Sequence, residues 1–154
     1  MNTERLTTLA QWLEAGAKHE KITFDITRGI LVKNIDEFDP SKPTECQTTC
    51  CIAGACVQFY GDMSDLVEEA DDRTYRNGNT PVPAELTWRD VRDQAAQLLG
   101  LSDSTAMRLF SPELFFGGDL KDYNDPAWAA RTIRHLIATG ESDWTATRAQ
   151  AVIA

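Results

Sequence analysis

The stretch Glu45–Cys56 reads ECQTTCCIAGAC and holds all four cysteines of this 154-residue chain. From there on, residues of low polarity recur at the three- and four-residue intervals of one helix face: Ile52, Cys56, Phe59 and Tyr60. This spacing predicts a buried helix that begins near Thr48 and ends at Gly61, with Cys56 on its inner face.

Upstream of this stretch, the pattern predicts one helix and a small β element. A stripe at helical spacing follows a capping residue, Asn2 or Thr3, and Gly16 ends it. The stripe consists of Leu6, Leu9, Ala10 and Leu13. Residues 22–26 then alternate between apolar and polar, as a short strand does, and residues 30–32 fit a second strand or an apolar anchor.

Downstream, three further helices are bounded by residues that cap or break helices. Their predicted starts and ends are Thr87 and Gly100, Ser102 and Pro112, and Asp125 and Gly140. The segment from Ser142 or Thr145 to Ala154 is a candidate for one more short helix. Together these elements predict a mainly α fold of five to six helices, with one small β element near residues 22–32. The length of the chain predicts a single compact domain over residues 1–154.

The charge of the chain favours some partners over others. The net charge is −9, and residues 60–125 hold fourteen of the 24 acidic residues but only six of the 15 basic ones. Such a surface repels a phosphate backbone, so we expect a basic protein as the partner and no direct binding of nucleic acid. No segment is apolar over the length of a membrane span, and no signal peptide is recognisable, so we expect a cytoplasmic protein without a membrane partner.

Carboxylates are the candidate partner-binding groups. They form an acidic stretch with two additions further along the chain: Asp62, Asp65, Glu68, Glu69, Asp71 and Asp72, with Asp119 and Asp122. The acidic stretch lacks the glycine and the ligand order of a calcium-binding EF-hand loop. Rows of carboxylates can instead occupy a groove lined by lysine and arginine, because those side chains attract carboxylates and phosphates alike.

The cysteines support an alternative, a zinc site or a reactive thiol formed by Cys46, Cys50, Cys51 and Cys56. Structural zinc sites usually combine two pairs of ligands from separate parts of the chain, whereas these four lie in one segment. A thiolate would be favoured if Cys50 and Cys51 lay in the first turn of the predicted helix. Against both ideas, free cysteines often pack as small apolar residues.

Three blocks of the chain resemble a family of small proteins from bacteria and their phages. Residues 46–54 are similar to the family's C-x-T-x-x-C-I-A-G pattern, and residues 96–101 followed by 109–110 resemble a second block. Residues 129–144 resemble its closing helix and its T-G-x-x-D-W end. Only Cys46, Cys51 and Gly54 match its recurrent positions in the first block. The resemblance implies a phage or mobile-element origin and carries no established activity.

We find no complete catalytic signature, so we expect a non-enzymatic protein without a cofactor. Small acidic phage proteins of this kind resemble inhibitors of host machinery, including antagonists of CRISPR complexes. The leading hypothesis is therefore an anti-CRISPR-like binding protein. It would inhibit a host nucleic-acid-handling or defence complex by occupying a basic surface.

Overall fold

The computed structural model describes residues 1–63 and 84–149, and the predicted mainly α fold with a small sheet is confirmed. The described part contains six α-helices: α1 Thr3–Glu14, α2 Ile52–Tyr60, α3 Trp88–Leu99, α4 Asp103–Phe110, α5 Glu113–Phe116 and α6 Pro126–Thr139. It contains four short strands: β1 Ile22–Phe24, β2 Ile30–Val32, β3 Thr48–Cys50 and β4 Ala84–Glu85. Two 3-10 helices cover Pro43–Glu45 and Leu120–Tyr123. The buried apolar residues form one cluster.

The start of α1 and both ends of α3 and α6 lie where local residues predicted them. The Asn2 side chain accepts a hydrogen bond from Arg5 N, and the Asp125 side chain accepts from the first turn of α6. Both α3 and α6 end at a glycine in the left-handed region, with φ of 64° at Gly100 and 81° at Gly140. These contacts satisfy backbone groups that a helix end leaves unpaired.

The prediction of a helix from Thr48 was wrong. Thr48–Cys50 is instead β3, which pairs in parallel with β1 and antiparallel with β2, so the sheet order is β1-β3-β2-β4. Two β-branched threonines favour extended backbone, and hydrogen bonds to a strand on each side outweigh one extra turn of helix. Helix α2 therefore begins only at Ile52, with Cys51 as its extended N-cap residue.

Helix α2 packs very closely against the sheet through two glycines. A Cβ atom on Gly54 would overlap the carbonyl oxygen of Gly29 and lie 2.7 Å from Cys50 Cβ. The same Gly29 carbonyl accepts a hydrogen bond from Cys51 N at 3.3 Å. Cys51 and Gly54 thus hold the start of α2 against the residue that precedes β2.

The C-terminal segment is anchored by a buried tryptophan and is not a helix over its described length. Residues 144–147 form a turn, so the prediction of a short helix after Ser142 was wrong for residues up to 149. Asp143 accepts hydrogen bonds from the backbone and hydroxyl of Thr145, which favours a local turn. Trp144 is fully buried and donates its indole N–H to Leu109 O at 3.2 Å. The T-G-x-x-D-W end thus attaches the tail to α4.

Five of the predicted carboxylates lie outside the described residues: Asp65, Glu68, Glu69, Asp71 and Asp72. In the part of the chain that the structure describes, no helix has both the length and the apolar character needed to cross a membrane.

Candidate functional site

Two large apolar side chains on α5 are exposed. Leu114 is 66% exposed and Phe115 is 43% exposed, and Met1 is the one other large hydrophobic residue so exposed among residues 1–63 and 84–149. An exposed leucine and phenylalanine side by side expose more apolar surface than single scattered residues do. Their exposure is not predictable from periodicity, because the apolar pair lies outside the predicted helices.

The local sequence explains why this pair faces solvent. Helix α5 has only four residues, and Gly117 and Gly118, with φ of 84° and 74°, turn the chain away immediately after it. One turn of helix is too short to bury a complete apolar face. The guanidinium carbon of Arg108 lies 4.9 Å from the centre of the Phe115 ring, a cation–π contact that orients the exposed ring.

Asp119 and Asp122 follow the apolar pair and are brought together by a capping box. Asp119 N donates to Asp122 Oδ2 at 2.9 Å, and the Asp119 side chain caps the 3-10 helix Leu120–Tyr123 in return. Both aspartates are exposed. We call the set Glu113, Leu114, Phe115, Asp119 and Asp122 the acidic–apolar surface; it occupies one segment of the chain, residues 113–122, which also holds one exposed basic residue, Lys121.

Asp62, the remaining predicted carboxylate within the described residues, lies on a different part of the fold. It follows α2, and its backbone is tied to α3: Asp62 N donates to Gln94 Oε1 at 3.0 Å, and Gln94 Nε2 donates to Asp62 O at 2.9 Å. This pairing holds its backbone rigidly next to α3 while the residue stays exposed.

A small pocket of about 160 Å³ borders the acidic–apolar surface. Its lining consists of four apolar side chains, two carboxylates, two hydroxyls and one glycine: Ile26, Trp88, Phe110, Leu120, Glu85, Glu113, Thr27, Ser111 and Gly29. Glu85 is paired with Arg28 at 3.5 Å and accepts a hydrogen bond from Gly29 N at 3.4 Å. By contrast, Glu113 Oε2 has less than 1 Å² of exposed surface and no hydrogen-bond partner among the described residues. A shielded and unpaired carboxylate oxygen is costly, by about 1–3 kcal/mol.

Three of the four cysteines are buried in the core. Desolvation raises the pKa of the Cys50 thiol well above its usual range, that of Cys51 to about 11, and that of Cys56 to about 12. Cys50 lies in β3, so the condition for a stabilised thiolate is not met there. Cys51 is the N-cap residue of α2, where desolvation raises its pKa by more than the backbone N–H groups of Gly54 and Ala53 lower it. These three thiols are protonated at neutral pH, which is the state of inert structural cysteines.

Cys46 is the one partly exposed cysteine. Its sulfur accepts a weak hydrogen bond from Asp39 N at 3.4 Å and donates to Lys42 O at 3.6 Å. Among the described residues, no three His, Cys, Asp or Glu side chains are placed to hold a metal ion together. His19 serves the turn before β1, since its Nδ1 accepts from Lys21 N and Ile22 N.

The chain matches no protein-family model, and comparisons with curated proteins and with solved structures find no similar protein.

Proposed function

We propose that this protein is a non-enzymatic binding protein that attaches to a basic surface of another protein through its acidic–apolar surface. The observation that carries the proposal is the exposure of Leu114 and Phe115 within the segment 113–122, which also holds Glu113, Asp119 and Asp122. Protein interfaces typically combine an apolar centre that supplies affinity with a polar rim that selects the partner.

The charge of the chain supports a basic partner. A net charge of −9 attracts a positively charged surface over distances of about 10 Å at moderate salt. Carboxylates on the rim of an interface mainly accelerate association and exclude acidic partners, while the buried aromatic and aliphatic groups slow dissociation.

We further propose that the partner belongs to a bacterial complex that handles nucleic acid or defends against phages, in the cytoplasm. Such complexes bind phosphates with lysine and arginine, and a carboxylate-rich protein can compete for the same side chains. The result would be anti-CRISPR-like inhibition by steric and electrostatic blockade. In this proposal Cys50, Cys51 and Cys56 only fill the core.

Affinity capture from a lysate of the bacterial host tests the proposal. The bait proteins are the wild type, Leu114→Ser with Phe115→Ser, and Asp119→Asn with Asp122→Asn. Asparagine keeps an oxygen that can cap the 3-10 helix, so the second pair removes charge and preserves the fold. We expect the apolar double variant to lose the captured protein and the charge variant to retain less of it as salt is raised.

Glu37→Gln is the matched control, because it removes one exposed carboxylate from a different part of the chain. It should capture the same partner as the wild type. Equal capture by the wild type and both double variants would contradict the proposal, as would a captured partner whose binding surface is acidic.

A further inference from the structure

We infer that the pocket beside the acidic–apolar surface binds one arginine side chain of the partner protein. This inference rests on the proposed function, because it names the group that the partner inserts. It assigns to the pocket a ligand of defined chemistry, an alkyl guanidinium.

The size of the pocket limits the ligand to a single side chain. Its volume is about 160 Å³, well below the roughly 300–1,000 Å³ of pockets that hold small-molecule ligands and cofactors. Glu113 lines the pocket and is followed directly in α5 by Leu114 and Phe115. A protein bound to the exposed pair would therefore also cover the pocket.

The charge inside the pocket selects a cation. Two carboxylates line it, and Arg28 pairs with one of them, Glu85. The other, Glu113, has no ion-pair partner among the described residues, and its shielded Oε2 is not the atom that a ligand in the pocket contacts. The lining therefore carries one carboxylate that no cation among the described residues pairs with, and this charge attracts a cationic ligand.

The walls favour guanidinium over ammonium. Trp88 and Phe110 supply aromatic rings, and Ile26 and Leu120 supply aliphatic surface for the methylene stem. Trp88 packs closely on Gly29, another lining residue, since a Cβ there would lie only 3.1 Å from the Trp88 Cε3 atom. A guanidinium is planar, is weakly hydrated and stacks on aromatic rings, whereas an ammonium is compact and strongly hydrated.

Titration of the full-length protein with acetyl-Gly-Arg-Gly-amide, followed by nuclear magnetic resonance, tests the inference. The indole N–H signal of Trp88 reports on the pocket wall. We expect a saturable shift with a dissociation constant on the order of 1 mM, since one side chain supplies little affinity. The peptide with citrulline, which is neutral and almost the same shape, should bind at least about fivefold more weakly, and the lysine peptide should also bind more weakly than the arginine peptide.

Glu113→Gln should weaken binding of the arginine peptide at least about fivefold, while the control Glu37→Gln stays within about twofold of the wild type. The citrulline comparison uses the wild type alone, so it holds even if Glu113→Gln disturbs the fold. Any of four results would overturn the inference: no saturable shift, as expected of a pocket that holds only water; equal binding of citrulline; equal binding of lysine; or unchanged affinity in Glu113→Gln.

The two proposals fail separately. Arginine binding in a protein that captures no partner would overturn the proposed function and leave the ligand preference of the pocket standing. Capture of a partner through Leu114 and Phe115 without arginine binding would overturn the inference about the pocket and leave the proposed function standing.

Discussion

Burial controls the chemistry of the cysteines at the scale of single residues. The sulfurs of Cys50, Cys51 and Cys56 are in the core, and desolvation is the largest cause of their raised pKa values. A thiol in this state resists ionisation and therefore oxidation and alkylation. Cys46 is the thiol that we expect Ellman's reagent to reach in the folded protein.

The raised pKa values predict that stability falls in alkaline solution. Above about pH 9 the unfolded thiols lose their protons, while the folded Cys51 and Cys56 keep theirs up to about 11 and about 12. The unfolded state then binds fewer protons, so each such thiol lowers the free energy of unfolding by about 1.4 kcal/mol per pH unit in this window. Urea unfolding between about pH 9 and about pH 11 measures this slope.

Comparison of variants separates the thiols from lysine and tyrosine, which titrate in the same range. Cys56→Ala should lose stability about 1.4 kcal/mol per pH unit less steeply than the wild type. Cys46→Ala, at the partly exposed sulfur, is the matched control. Identical slopes for Cys56→Ala and the wild type would show that the Cys56 thiol ionises in the folded state.

At the scale of elements, the approach of α2 to the sheet depends on one glycine. Gly54 lies within α2 against Gly29, Ile30 and Cys50, and a side chain there has no room. Helix propensity alone favours alanine over glycine by about 1 kcal/mol, so packing and propensity oppose each other at this position.

We expect packing to win in Gly54→Ala, with a net loss of roughly 2 kcal/mol in the free energy of unfolding, because the backbone of Gly29 has to move. Urea unfolding followed by circular dichroism measures the change. Gly140→Ala is the control: a Cβ there meets nothing within 4 Å, so only the positive φ costs energy, about 1 kcal/mol. A Gly54→Ala protein as stable as the wild type would show that α2 does not pack as closely as described.

At the scale of the whole molecule, the acidic charge is expected to govern association. The excess of negative charge is concentrated in residues 60–125, which include Asp119 and Asp122. Long-range attraction of this kind changes the rate of association more than the rate of dissociation.

The association rate with a captured basic partner should therefore fall by about tenfold or more between about 50 mM and about 500 mM salt. Surface plasmon resonance measures both rates. Neutralising Glu68, Glu69, Asp71 and Asp72 together should slow association and weaken its salt dependence. Affinity that stays unchanged in this variant, or association that does not respond to salt, would reject electrostatic recognition.

The helix ends and the core face of each long helix were predictable from the sequence, because a helix is capped and stopped by residues within one turn of its end. Asn2, Gly100, Asp125 and Gly140 each act through neighbours in the chain. The burial of Cys56 likewise follows from its spacing. The net charge is also known from the sequence alone, since it is the sum of the charges of the residues.

Tertiary structure alone decided the fate of Thr48–Cys50 and the location of the pocket. The strand forms because β1 and β2 lie on either side of it. Hydrogen bonding to these two strands outweighs the helical spacing that predicted a helix from Thr48 onward. The pocket collects side chains from Ile26 to Leu120, from parts of the chain that touch only after folding. Contacts within one turn can be read from spacing, whereas contacts between distant segments depend on how all the elements pack together.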